Sequence, residues 1–222
     1  MRADETPLSL AARLRAGTRD LHRRAERSGV MHTLLRGRLE REPYCVLLRN
    51  LHAIYVALEA GLEEHAAHTA VAHLHDRALY RAEALASDLE NLHGNNWGLQ
   101  LALASRAHAY AQRLRGLAGS EPIRLVAHVY VRYLGDLNGG QMLSRIVQAS
   151  MRLDDVASTA FYRFTPEPAT ILEAPLRDGL DAMPVTEAQK GILVDEARWS
   201  FIAHCELFDE LSELATHSRS RA

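Results

Sequence analysis

Apolar residues recur at three- and four-residue steps along nearly the whole chain, and strict two-residue alternation is rare. The first spacing is that of a helix with one buried face; the second is that of a half-buried strand. The pattern predicts helices over 8–28, 31–40, 43–65, 70–92, 99–115, 121–150, 154–162, 169–182 and 186–216. Ala, Leu, Arg and Glu, all good helix formers, dominate the composition. Glu42-Pro43 opens the third helix, Asn95-Asn96-Trp97-Gly98 reads as a turn, and Gly116-Leu117-Ala118-Gly119 reads as a stop. Ser120-Glu121-Pro122 caps and starts the next helix, and Pro166, Pro168 and Pro175 mark an irregular stretch. No internal repeat or long linker interrupts the pattern. The expected fold class is all-α, a single domain over 1–222 with frayed polar tails at about 1–7 and 216–222.

Charge and cysteine content narrow the function. Across 222 residues, 26 Lys+Arg stand against 28 Asp+Glu, a net charge of −2. That balance offers no general attraction to nucleic acid. Hydrophobic residues at 47% supply enough apolar surface to exclude disorder. Cys45 and Cys205 are the only cysteines and form no CxxC pair. This excludes a disulfide framework and a cysteine zinc site, and fits a reducing compartment. Met1 to Pro7 lacks a secretory apolar stretch, and no run of about 18 apolar residues is found. The expectation is a cytoplasmic protein with no membrane partner. Twelve histidines leave many candidate metal ligands.

Two segments carry candidate chemistry. In the first helix, Leu10, Leu14, Leu21 and Ala25 form an apolar stripe, and Arg15, Arg19, His22 and Glu26 run beside it at steps of four, three and four. Glu26, one turn beyond His22, can hold one imidazole nitrogen as donor and leave the other free for a metal. The arginines one and two turns below suit a metal-bearing ligand with carboxylates, as in haem. The same spacing also describes an ordinary solvated face. The second segment is Tyr130 to Leu143, which holds Gly135, Gly139 and Gly140 inside a strongly helical context. Glycine costs about 1 kcal/mol per position against alanine in a helix, so something must offset it. Gly135 and Gly139 share a face without side chains, where a flat ligand can approach the backbone. Close helix packing or a hinge at Gly139-Gly140 would use the same residues. Arg132 and Asp136, four apart, place a carboxylate beside the bare face.

Tyr133-Leu134-Gly135-Asp136-Leu137-Asn138-Gly139-Gly140-Gln141 resembles the distal-helix signature of the haem oxygenase family, where Ser often replaces Asn138. Thr18 to Glu26 is similar to its proximal segment. Tyr55 to Glu59, Glu121-Pro122 with Val126-Ala127-His128, and Ala197 to Leu211 match in order and spacing, so the resemblance covers nearly the whole chain. It implies haem b between two helices, as both cofactor and substrate. His22 would be the axial ligand with Glu26 behind it, and Gly135, Gly139 and Gly140 would line the distal face. Tyr130 and Phe201 would contact haem, and Arg15, Arg19 and Arg177 would meet its propionates. Asp136 would hold an ordered water, with Arg132, Tyr55 and Tyr110 completing that polar network. The implied reaction uses O2 and an external electron donor, a ferredoxin or a flavin reductase, in a monomer. It yields biliverdin, carbon monoxide and ferrous iron. Two positions depart from the family: Glu173 stands where some members have a propionate-side lysine, and His204 where some have Asn.

Rival readings make different demands. A non-catalytic haem carrier keeps His22 but has no need of Asp136. A di-iron bundle needs paired Glu-x-x-His motifs, and only Glu90-Asn91-Leu92-His93 occurs. A zinc site would draw on His65, His68, His73 and His75. A purely structural helical module leaves the glycine cost unexplained.

Overall fold

A computed structural model describes residues 8–153 and 156–219; the expected tail at 1–7, and residues 220–222 of the expected tail at 216–222, lie outside them. Among the described residues there is no strand. The helices are α1 (Leu10–Ala25), α2 (Gly29–Leu35), α3 (Arg41–Glu64), α4 (Ala82–His93), the single turn α5 (Trp97–Gln100), α6 (Ser105–Ser120), α7 (Leu125–Met151), α8 (Ala169–Ala182) and α9 (Glu187–Arg219). α9 extends to Arg219. Short 3-10 turns cover Val71–His73, Arg77–Leu79, Pro122–Arg124 and Val156–Tyr162.

Three expected helices are divided differently, each because a buried polar side chain overrides the periodic pattern. The stretch 70–92 breaks into two 3-10 turns before α4, where the Glu59 carboxylate accepts the backbone N–H of Arg81 at 2.6 Å and of Ala82 at 3.1 Å. That carboxylate supplies the acceptor a helix N-terminus lacks. The stretch 99–115 breaks at Leu101 to Ala104, where the Asn50 side chain donates to Ala102 O and accepts from Ala104 N. The expected helix 154–162 is a 3-10 turn over its described part, anchored by Asp88, which accepts from Ala160 N at 2.7 Å and Phe161 N at 2.9 Å. α2 stops short of residue 40, before Gly37, whose φ of +64° favours glycine. The glycines at 116 and 119 do not stop α6, and Pro175 lies inside α8.

α3 is the central apolar rod; Leu47, Leu48, Ile54, Tyr55 and Leu58 are fully buried on it. By length and composition it is long and apolar enough to cross a membrane, although Arg49, Asn50 and His52 interrupt any continuous apolar run. However, 67% of its apolar window is buried inside the fold, as befits a core helix. α3 packs on α4 and α6, while α9 supports α1, α2 and α7. The proximal and distal segments therefore both rest on α9.

Burial pushes Glu59 from 4.5 up to about 7, against the hydrogen bonds from Arg81 and Ala82 that pull it down. A carboxyl with a raised folded-state value binds more protons folded than unfolded, so stability falls as pH rises from 4.5 to 7. Glu59→Gln should flatten this part of the Tm–pH curve, measured by thermal melts across that window; an unchanged slope would assign the dependence to another group.

Candidate active site

α1 and α7 stand on α9 with a cavity of about 520 Å³ walled by both, within the range of roughly 300–1,000 Å³ usual for small-molecule sites. An adjoining inner cavity of about 150 Å³ is mostly apolar, walled by side chains that include Met31, Leu34, Leu47, Phe161 and Phe208. His22, Glu26, Gly135, Gly139, Met142 and Phe201 border both, so the two form one slot.

The α1 wall follows from its amphipathic pattern. Leu10, Leu14 and Thr18 bury against the core, which turns Arg15, Arg19, His22 and Glu26 toward the slot. The Thr18 hydroxyl donates to Leu14 O at 2.7 Å. His22 is half exposed, and its Nδ1 lies 3.7 Å from Glu26 Oε1. That is an ion-pair distance, too long for a direct hydrogen bond. The Phe201 ring meets the His22 ring edge-on at 5.8 Å. Arg15 has no ion-pair partner among the described residues, and Arg19 has only a distant one in Asp20 at 3.9 Å. Both cations therefore remain free to meet an anion.

α7 forms the other wall. A Cβ added at Gly135 or Gly139 would meet nothing within 4 Å. Tyr130, Val131, Leu134 and Asn138 complete this wall, and Asn138 bends its amide back to donate to Leu134 O at 2.7 Å. Gly140 corrects the sequence reading. It is buried, and its Cβ would sit 3.3 Å from Tyr162 O. It lets the 160–162 turn approach the helix and does not line the slot. An open face and a close packing contact therefore occur on different faces of one helix.

Behind the bare wall lies a buried polar cluster. Arg132 donates to Tyr55 Oη through Nε at 3.0 Å and Nη2 at 2.8 Å, and to Asp136 Oδ1 at 3.3 Å. Tyr55 Oη donates to Asp136 Oδ2. Burial pushes the Asp136 carboxyl above its ordinary value, and Arg132 and Tyr55 pull the other way. Burial works against the charge on Arg132, but Tyr55 and Asp136 outweigh it and hold the guanidinium firmly protonated. Asp136 and Arg132 border the inner slot; Tyr55 supports them without lining it. Tyr110, expected in this cluster, bonds instead to His128 Nδ1 at 2.9 Å and Ser200 Oγ at 2.5 Å. His128 in turn meets Glu196 at 3.1 Å. Burial would raise Glu196, but the His128 and Arg113 hydrogen bonds bring it down to about 2.

Arg177 on α8 lines the slot. Glu173 does not; it accepts from Arg177 at 2.7 Å one turn away. The departure from the family pattern thus moderates Arg177's charge rather than placing a carboxylate in the cavity. His204 is the slot residue that sequence reasoning noticed but did not use. The signal was there, a polar ring on a buried α9 stripe. The apolar inner wall was not legible, because ordinary core spacing marks cavity and core alike. Among the described residues no group of three or more His, Cys, Asp or Glu is placed to hold a metal ion. His65 bonds to Ala118 O and His75 to Glu63 instead.

These features fit a flat, iron-bearing, dianionic ligand. The slot has a lone imidazole on one wall, a strip of side-chain-free helix on the other, and arginines on its rim.

Comparison with known proteins agrees with this fit. The family model described as heme oxygenase matches residues 8–210. Heme oxygenase 1 of Nostoc sp. is 38% identical over 204 residues, covering 91% of this chain and 86% of that protein. Heme oxygenase 2 of Synechocystis sp. is also 38% identical, over 93% of this chain and 84% of its own. The crystal structure of heme oxygenase-1 from Synechocystis sp. in complex with heme superposes with a TM-score of 0.90 at 34% identity, covering 96% of each chain. The structure of heme oxygenase from Leptospira interrogans gives a TM-score of 0.87 at 30% identity, over 91% of this chain and all (100%) of that one.

Gly135→Ala and Gly139→Ala should each stabilise the ligand-free protein by about 0.5–1 kcal/mol, since each fills open space on a helix, while weakening haemin binding. Gly140→Ala should destabilise it. Urea melts and haemin titrations check both; a loss of stability at Gly135 or Gly139 would show that their faces are packed.

Proposed function

The chain belongs to the haem oxygenase family, and on that premise we propose that haem occupies the slot between α1 and α7 and is cleaved there to biliverdin, carbon monoxide and ferrous iron. The observation that carries this reading is the bare Gly135–Gly139 strip beside the Asp136–Arg132–Tyr55 cluster. A haem carrier has use for the first but not for the second. When bound, haem supplies both the iron that activates O2 and the macrocycle that is oxidised.

The protein's residues do the rest. His22 would hold the iron through the ring nitrogen that faces away from Glu26, whose carboxylate lies 3.7 Å from Nδ1. A histidine ligand would not give the iron the strong electron push of a thiolate. Phe201 packs on the His22 ring edge and limits its rotation. Arg15, Arg19 and Arg177 pair with the propionates at the rim, and Tyr130 closes that end of the slot. On the other wall, Gly135 and Gly139 bring the backbone up to the ligand, so its orientation is set by shape rather than by a strong donor.

Asp136 holds a water in the inner slot. Its carboxyl is fixed at both oxygens, by Tyr55 at Oδ2 and Arg132 at Oδ1. A group so fixed keeps its partners in place during reaction without reorganising. Its raised affinity for a proton suits it to pass one to that water. Tyr110 contributes behind this cluster through Ser200 rather than within it.

Electrons come from an external donor, a ferredoxin or a flavin reductase. Cys45 and Cys205, both buried and free, suit a reducing cytoplasm, and the chain acts as a monomer.

Mixing the protein with haemin and a reductant should produce biliverdin; a stable ferrous spectrum would favour a carrier. Asp136→Ala should retain haemin binding and lose biliverdin formation by about 10²-fold or more, on the scale of a lost proton-transfer group. Biliverdin at the wild-type rate would remove Asp136 from this role. His22→Ala should abolish the iron–histidine band in resonance Raman spectra. Glu173→Gln should tighten haemin binding about twofold, the scale of an exposed helix ion pair, as read by titration.

A further inference from the structure

We propose that His204 is the positioning residue that fixes the Arg132 guanidinium, and through it Asp136, in the wall of the slot. The catalytic consequence rests on the haem oxygenase reading above, whereas the positioning does not.

Arg132 has five N–H donors in a rigid plane. Its Nε and Nη2 are taken by Tyr55 on α3 and Asp136 on α7. Those contacts lie along one edge and leave Nη1 at the other. His204 Nε2 on α9 stands 3.2 Å from that Nη1. The opposite ring nitrogen, Nδ1, lies 2.8 Å from Ser200 O. A carbonyl only accepts, so Nδ1 must carry the proton. A guanidinium only donates, so Nε2 must be bare. The two contacts together permit a single tautomer, and it is neutral.

The surroundings enforce the same state. His204 is 2% exposed, with the Tyr110 ring edge-on at 5.0 Å and Phe208 at 5.9 Å. Burial first, and the Arg132 charge second, hold its proton affinity well below that of an ordinary histidine. The backbone bond within α9 prevents the ring from flipping, so the acceptor cannot turn away. Arg132 is thereby held from three helices, by Tyr55 on α3, Asp136 on α7 and His204 on α9, and the α9 contact opposes a swing of the planar guanidinium about the Cδ–Nε bond. Without the α9 contact, Nη1 would lose this acceptor, and a desolvated donor left unpaired is unfavourable. The guanidinium would shift to recover a partner and take Asp136 Oδ1 with it. His204 also borders the inner slot, so the same ring limits how deeply a flat ligand enters.

The first test uses the protein without haem. Long-range ¹H–¹⁵N correlation spectra at neutral pH should show His204 protonated at Nδ1 and bare at Nε2. Solvent exchange of the Arg132 Nε–H should be slow in the native protein, at least about tenfold faster in His204→Leu, and within about threefold of native in His204→Gln. Gln places a neutral acceptor at the reach of Nε2, and thermal melts confirm that each variant is folded. A proton on Nε2, or exchange unchanged in His204→Leu, would overturn the proposal.

With haemin, His204→Leu should keep the binding constant within about threefold, slow biliverdin formation about tenfold or more and yield mixed meso isomers, as misplacement of a catalytic group does; His204→Gln should restore most of both. Normal turnover in His204→Leu would overturn the catalytic part. Failure of the native protein to bind haemin at all would overturn the haem reading and leave the spectroscopic result standing.

Discussion

The slot depends on how α7 is held: its bare face is open while its other faces are locked. On one side Gly135 and Gly139 present only backbone to the cavity. On another, Gly140 admits the 160–162 turn to within van der Waals contact, and Asp88 pins that turn through two backbone N–H groups. On a third, the Arg132 guanidinium is tied to α3 and α9. A helix weakened by three glycines would otherwise move under its own flexibility. Here each glycine is matched by a rigid neighbour or a ligand face.

Burying an arginine and an aspartate together is costly unless every remaining donor and acceptor is satisfied. The cluster meets this condition through Tyr55 and His204. It spends stability to place a carboxyl of raised proton affinity at the edge of a mostly apolar cavity. The proximal wall is the opposite case: His22 and the rim arginines are half exposed, with few internal partners. One wall is preorganised before the ligand arrives, and the other is left with its charges and the His22 ring nitrogen that faces away from Glu26 available to the ligand.

Polar side chains also shape the fold at a distance from the slot. Glu59, Asn50 and Asp88 each interrupt or initiate a helix against the local apolar period. All three project from α3 or α4 into the core and capture backbone groups of a segment far along the chain. Periodicity cannot register such contacts, because it reports only which face of a segment is apolar.

The sequence by itself determined the all-helical class, the bounds of α8 and the bulk of α1, α3, α7 and α9, and its resemblance to the family implied the pairing of His22 with the glycine-bearing helix. Helical spacing is a local property, and three interior glycines carry an energy cost that must be offset. Tertiary structure alone decided which glycine faces the ligand and which faces Tyr162, because residues 139 and 140 differ only by a rotation of about 100° about one axis. It alone placed Tyr110 with His128 and Ser200 instead of Arg132, turned Glu173 onto Arg177, and gave His204 its partner. Those outcomes depend on which side chains of distant helices arrive at the same few ångströms, and no spacing along one segment encodes that.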